Sequence, residues 1–120
     1  MALTEGTERT EEFRVEGPLL TDVDGTLPMA VLSTPGMIEM MEFAATRLVA
    51  GELPPEHATV GFEVCVKHVG GALEGALCTV TARLREVIEE RKLRFDVEVR
   101  EGSRVIGVGT HERRVIPVTR

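Results

Sequence analysis

With 120 residues, 42% of them hydrophobic and 28% charged, the chain has the length and composition of one soluble globular domain, expected to span residues 1–120. A net charge of -6 argues against general nucleic-acid binding, which needs a surplus of Lys and Arg to displace counterions. Four Phe and no Trp or Tyr leave the core to be built from Val, Leu, Ile, Ala and Met.

The opening MALTEGTERTEEFRVEG lacks a basic stretch followed by an apolar run, and no segment approaches the ~20 apolar residues that span a bilayer. A cytoplasmic protein without a membrane partner is therefore expected. Glu11 to Val15 predict a short first strand with Phe13 and Val15 on one face, ended by Gly17-Pro18. Asp24-Gly25 and Pro28 make Leu19 to Ser33 read as a covering loop. Thr34 ahead of Pro35 reads as a helix N-cap, because the first helical position has no use for the N–H that proline lacks. From Met37 to Val49 only Glu39, Glu42, Thr46 and Arg47 interrupt the apolar residues, which predicts a helix covered on most sides and ended at Gly51.

After Pro54-Pro55 the period becomes two. Phe62, Val64, Val66 and His68 share one face of a strand, expected to point inward, and Glu63, Cys65 and Lys67 share the other. Further strands are predicted over Leu77 to Val87, Leu93 to Arg100 and Arg104 to Val118, with Val80, Ala82, Leu84, Leu93, Phe95, Val97 and Val99 inward. Glu89-Glu90-Arg91 and Glu101-Gly102-Ser103 read as the hairpin turns between them. One long apolar helix followed by four antiparallel strands predicts an α+β fold with the sheet wrapped around the helix.

Several side chains in this frame have a chemical reading and a plainer one. Thr34 puts a hydroxyl at a helix N-terminus, where free N–H groups and the helix dipole stabilise an oxyanion, or it is an ordinary N-cap. Glu42, between Met41 and Phe43, is suited to proton transfer if buried; otherwise Glu39, Glu42 and Thr46 form one solvated stripe. His68 is either a base or a core histidine. Arg113, in the run His111-Glu112-Arg113-Arg114, alternates with its neighbours in the manner of a solvated strand face. Cys65 and Cys78 fall in separate strands, and a disulfide is disfavoured in a reducing compartment. Cys65 and His68 form C-x-x-H, but His57, Cys78 and His111 do not complete a zinc spacing, so neither a metal nor another cofactor is expected.

Three stretches, LSTPGMIEMMEFAATRLVAG at 32–51, VGFEVCVKHVG at 60–70 and IGVGTHERRVI at 106–116, together resemble the fluoroacetyl-CoA thioesterase family of hotdog-fold enzymes. The resemblance is collinear over most of the chain after Leu32. It implies a hotdog fold and hydrolysis of a short-chain acyl-CoA to free acid and CoA. It further implies catalytic roles for Thr34, Glu42 and His68, which match the family's separations, and substrate-binding roles for Gly61 and Arg113. The segment Leu19 to Ser33 looks shorter than the family's lid, and its gating phenylalanine has no counterpart. The resemblance thus speaks for thioester hydrolysis more than for selectivity toward the fluorinated acyl group.

Hotdog proteins resemble one another in forming dimers with interfacial sites, which implies a homodimer or a dimer of dimers here. Geometry points the same way. Eight helical residues rise ~12 Å, so Thr34 and Glu42 do not meet along a straight helix. Either the chain bends at Pro35-Gly36 or the working set is completed across an interface. Two other activities share the expected fold: hydration of an enoyl-CoA, which also uses a His and a carboxylate, and non-catalytic acyl-CoA binding or sensing.

Overall fold

The computed structural model describes residues 2–119. Thr34–Ala50 form one unbroken helix, α1. Met37, Met41, Ala44, Ala45 and Val49 recur at helical spacing and are all buried. The opposite stripe, Glu39, Phe43 and Arg47, is open to solvent, so the helix is less covered than its composition predicts. Arg47 lies over the Phe43 ring at 5.3 Å and pairs with Glu11 at 2.5 Å, which lets an exposed aromatic ring keep a partner.

Gly51 caps the helix C-terminus as expected, but the N-cap is Ser33 and not Thr34. Ser33 Oγ accepts from the Gly36 N–H at 2.9 Å, while the Ser33 N–H donates to the Leu19 carbonyl at 2.8 Å. The close docking on Leu19 sets where the first turn begins. A Cβ at Gly36 would lie 2.9 Å from the Leu19 oxygen, so only glycine admits this approach. The segment read as a loop contains a 3-10 turn at Gly17–Leu19 and a minimal hairpin of β2, Leu20–Thr21, and β3, Val31–Leu32. Leu32 donates to the Ala72 carbonyl at 2.8 Å, which ties the hairpin to the chain beyond the next strand.

Strands β1 (Glu8–Arg14), β4 (His57–His68), β5 (Leu77–Ile88), β6 (Lys92–Glu101) and β7 (Arg104–Pro117) form an antiparallel sheet in the order β1-β5-β6-β7-β4. Its inner face packs under α1 with Val80, Ala82, Leu84, Leu93, Phe95, Val97 and Val99 buried, as their alternation predicts. Each of the larger ones contributes about 1.5–3 kcal/mol. The glycine-free turn holds because Glu89 and Glu90 adopt φ of 54° and 52°, the backbone of a primed hairpin turn.

Strand β4 departs from the simple alternation. A bulge falls between Gly61, which pairs with Arg113, and Glu63, which pairs with Glu112. Phe62 is the extra residue, so it does not join Val64, Val66 and His68. Its ring lies 3.6 Å from the Arg114 guanidinium and the residue is 58% exposed. Because β4 is also an edge of the sheet, Val64 stays exposed where burial was expected. The run His111-Glu112-Arg113 is corrected in the opposite sense, since all three residues are buried. Glu112 is held by Arg94 at 3.0 Å and Arg114 at 2.8 Å, and these two guanidinium groups keep its carboxyl below the usual carboxylate range.

Candidate active site

Two clusters of polar side chains form along the junction of α1 and β4, which run antiparallel. The first lies at the helix start. Because Ser33 does the capping, the Thr34 hydroxyl is free, and Thr34 Oγ1 lies 2.9 Å from His68 Nδ1. Pro35 has no N–H and the Gly36 N–H is bound to Ser33, so Thr34 supplies the uncommitted N–H of the first three helical residues. An open cleft of about 360 Å³ surrounds the pair, lined by Val31, Leu32, Val69, Gly70 and Gly71.

The second cluster lies two turns along the helix. Glu42, whose side chain is 39% exposed, points its Oε2 toward Arg113 Nη1 at 3.6 Å, an ion pair too long to be a hydrogen bond. Gly61 makes room for this approach. A Cβ there would lie 2.9 Å from Glu42 Oε2, 3.6 Å from Arg113 Nη1 and 3.7 Å from the His111 ring. Arg113 is fixed from behind, with Nε donating to Thr59 Oγ1 at 2.9 Å and Nη2 to the Thr59 carbonyl at 3.0 Å. Its burial makes the charged form less favourable than in water, and Glu42 partly offsets this. A cleft of about 310 Å³ opens here between Glu42 and the Gly61–Val64 stretch.

Thr34 and His68 are therefore brought together, as are Glu42, Gly61 and Arg113, but the two groups stay apart within one chain. No bend at Pro35-Gly36 joins them, since α1 is continuous. The sequence reading also missed a member of the second cluster. His111 lies against Arg113, with Nη1 and Nε2 3.2 Å apart. The signal was present in β7, where Gly109, His111 and Arg113 alternate onto one face. Among the described residues no three His, Cys, Asp or Glu side chains converge on a common point, and Cys65 and Cys78 are both free thiols.

Comparison with known proteins is consistent across sequence and fold. Residues 17–119 match the family described as fluoroacetyl-CoA-specific thioesterase. A fluoroacetyl-CoA thioesterase of Streptantibioticus cattleyicolor is 42% identical over 86 residues, which are 72% of this chain and 61% of that protein's length. The solved fluoroacetyl-CoA thioesterase FlK superposes with a TM-score of 0.88 at 32% identity, covering 98% of this chain and 91% of the other. A variant of FlK in complex with fluoroacetate and CoA gives a TM-score of 0.86 at 33% identity, covering 96% of each chain. One helix against a five-stranded antiparallel sheet is thus the hotdog fold that the sequence resemblance implied.

Proposed function

Because this chain belongs to the fluoroacetyl-CoA-specific thioesterase family, we propose that it hydrolyses a short-chain acyl-CoA to the free acid and CoA. The observation that carries this reading is the hydrogen bond between Thr34 and His68 at the mouth of α1. A hydroxyl that donates to an imidazole is a nucleophile with its base in place, or a pair that orients water. The Thr34 N–H and the positive end of the helix receive the thioester oxygen as it gains charge. Glu42, steadied by Arg113, either attacks the acyl carbon or directs water to it. His68 passes the proton it takes from the attacking hydroxyl or water to the departing thiolate. Where Glu42 attacks, water opens the resulting acyl–glutamate anhydride and its proton reaches the thiolate through His68.

A working set of Thr34, His68 and Glu42 needs two chains, since ~12 Å of unbent helix separates the hydroxyl from the carboxylate. The edge strand β4 offers the means, because its outer backbone groups are unpaired in the sheet and Val60, Phe62 and Val64 are exposed along it. A two-fold axis through Cys65 would pair Val64 with the partner's Val66 on one face and set His68 of one chain opposite the bulge at the partner's Gly61. The Thr34–His68 pair then meets the partner's Glu42. A cytoplasmic homodimer is part of this reading; among the described residues no helix is long and apolar enough to cross a membrane.

The substrate is proposed as an acyl-CoA class and not as fluoroacetyl-CoA in particular. The four phenylalanines stand at positions 13, 43, 62 and 95, so the hairpin before α1 carries none to close over a fluorinated acyl group.

Thiol release from acetyl-CoA, read with a colorimetric thiol reagent, tests the activity. Glu42→Gln should lower kcat by ~100-fold or more with a nearly unchanged melting temperature. Hydration of an enoyl-CoA without thiol release would favour the hydratase, and binding without either reaction a sensor. A sedimentation mass that stays near 13.1 kDa at high micromolar concentration would remove the shared site.

A further inference from the structure

His111 is 2% exposed, and its ring stacks on Phe95 with centroids 6.1 Å apart and an interplanar angle of 27°. Its Nδ1 lies 2.8 Å from the Glu63 carbonyl oxygen. A carbonyl only accepts, so Nδ1 carries the proton. In the neutral ring Nε2 then presents a lone pair, and Arg113 Nη1 donates to it at 3.2 Å. Together with the two bonds to Thr59, the guanidinium is held at three points, none of which is Glu42.

That arrangement has a chemical consequence. Arg113 faces Glu42 as a fixed charge without occupying the carboxylate's lone pairs, which stay available for the reaction. Protonation of His111 would replace the accepting lone pair with an N–H aimed at another N–H and set two positive charges side by side. The charged groups facing the ring are Arg113 on its own strand and Glu42 from α1, while β4 contributes the Glu63 carbonyl and β6 the Phe95 ring. Burial holds the imidazole below its ordinary pKa, in line with a neutral ring.

We propose that His111 is a positioning residue, whose Nε2 lone pair aims the Arg113 guanidinium at Glu42. The inference rests on the reading that Glu42 serves thioester hydrolysis. A residue that only fills the core would tolerate His111→Phe, which keeps a ring against Phe95, whereas a positioning residue would not. His111→Phe should lower kcat by roughly 10- to 100-fold, the scale of a displaced catalytic contact, with KM changed by no more than about 2-fold. In His111→Gln the amide oxygen reaches the place of Nε2, and kcat should recover to within about 3-fold of the wild type.

Long-range ¹H–¹⁵N NMR of the wild type, without substrate, should show a protonated Nδ1 and a bare Nε2. A proton on Nε2, or full activity in His111→Phe, overturns the positioning role. Where His111→Phe folds poorly, the tautomer and the His111→Gln rate still decide. A wild type that releases no thiol overturns the thioesterase reading, and the positioning role with it. Full hydrolysis by His111→Phe overturns the positioning role alone.

Discussion

The Thr34 hydroxyl and the His68 imidazole lie 2.9 Å apart, one in the first turn of α1 and the other at the last residue of β4. Two groups that act as one unit lose their effect together. Thr34→Val and His68→Gln should each lower thiol release by ~10²- to 10⁴-fold, and the double variant should be little worse than the poorer single one. Additive losses, measured as kcat/KM on acetyl-CoA, would mean that the two side chains work separately.

Stability and activity should divide between neighbouring hydroxyls. Ser33→Ala removes the acceptor for the Gly36 N–H and should cost about 1 kcal/mol, or about 4 °C in melting temperature, with hydrolysis retained. Thr34→Val should do the reverse. Differential scanning calorimetry beside a thiol-release assay on both variants checks the division.

Gly61→Ala isolates the space in front of Glu42. The glycine's φ lies outside the left-handed region, so the backbone accepts alanine, but the methyl would stand 2.9 Å from Glu42 Oε2. The carboxylate must move. Turnover should fall by at least about 10-fold, because misplacement of this size is costly in a reacting geometry, while the melting temperature changes little. Wild-type turnover in this variant would show that Glu42 works from another position.

A pH dependence of folding follows from His111. Its imidazole is held below 6.5 in the folded chain, mainly by burial, while the unfolded chain takes up a proton near that value. The unfolded state binds more protons in that window. His111 therefore contributes its full stabilisation above pH 6.5, and the contribution is lost as pH falls from there toward the lowered folded value, at up to about 1.4 kcal/mol per pH unit. Urea unfolding at about pH 7.5 and 5.5 should show a larger drop for the wild type than for His111→Gln.

Much of this architecture was legible from periodicity. The inward residues of β5 and β6 and the end of α1 at Gly51 follow from spacing and local chemistry alone. The cap was not, because Ser33 and Thr34 are both good caps and the choice between them is made by the contact of Ser33 with Leu19, far back in the chain. The β2–β3 hairpin escaped because strands of two residues have no measurable period. Apolar alternation in β4 suggested burial, but an edge strand exposes the same pattern when no neighbour covers it. Of the candidate site, Thr34, Glu42 and His68 were singled out through the family resemblance, since by residue type and spacing each also has a plainer reading. His111 was not, because its part depends on a carbonyl and a guanidinium that only the register of β4 and β7 brings to it.

The bulge at Phe62 shows that β4 carries information in phase as well as in composition. One supernumerary residue offsets the upstream half of the strand from the downstream half, so that glycine faces the helix at one point and histidine at another. Deleting Phe62 would leave every proposed site residue in the sequence and β4 still able to pair. Gly61 would still oppose Arg113 and Glu63 would oppose Glu112, so the upstream half would keep its face. It would turn over only if Phe62 stayed and the bulge were ironed out, which would put Phe62 in place of Gly61 before Arg113. A one-residue difference in the length of this edge strand is therefore absorbed at the bulge, and the residues on either side of it keep their faces.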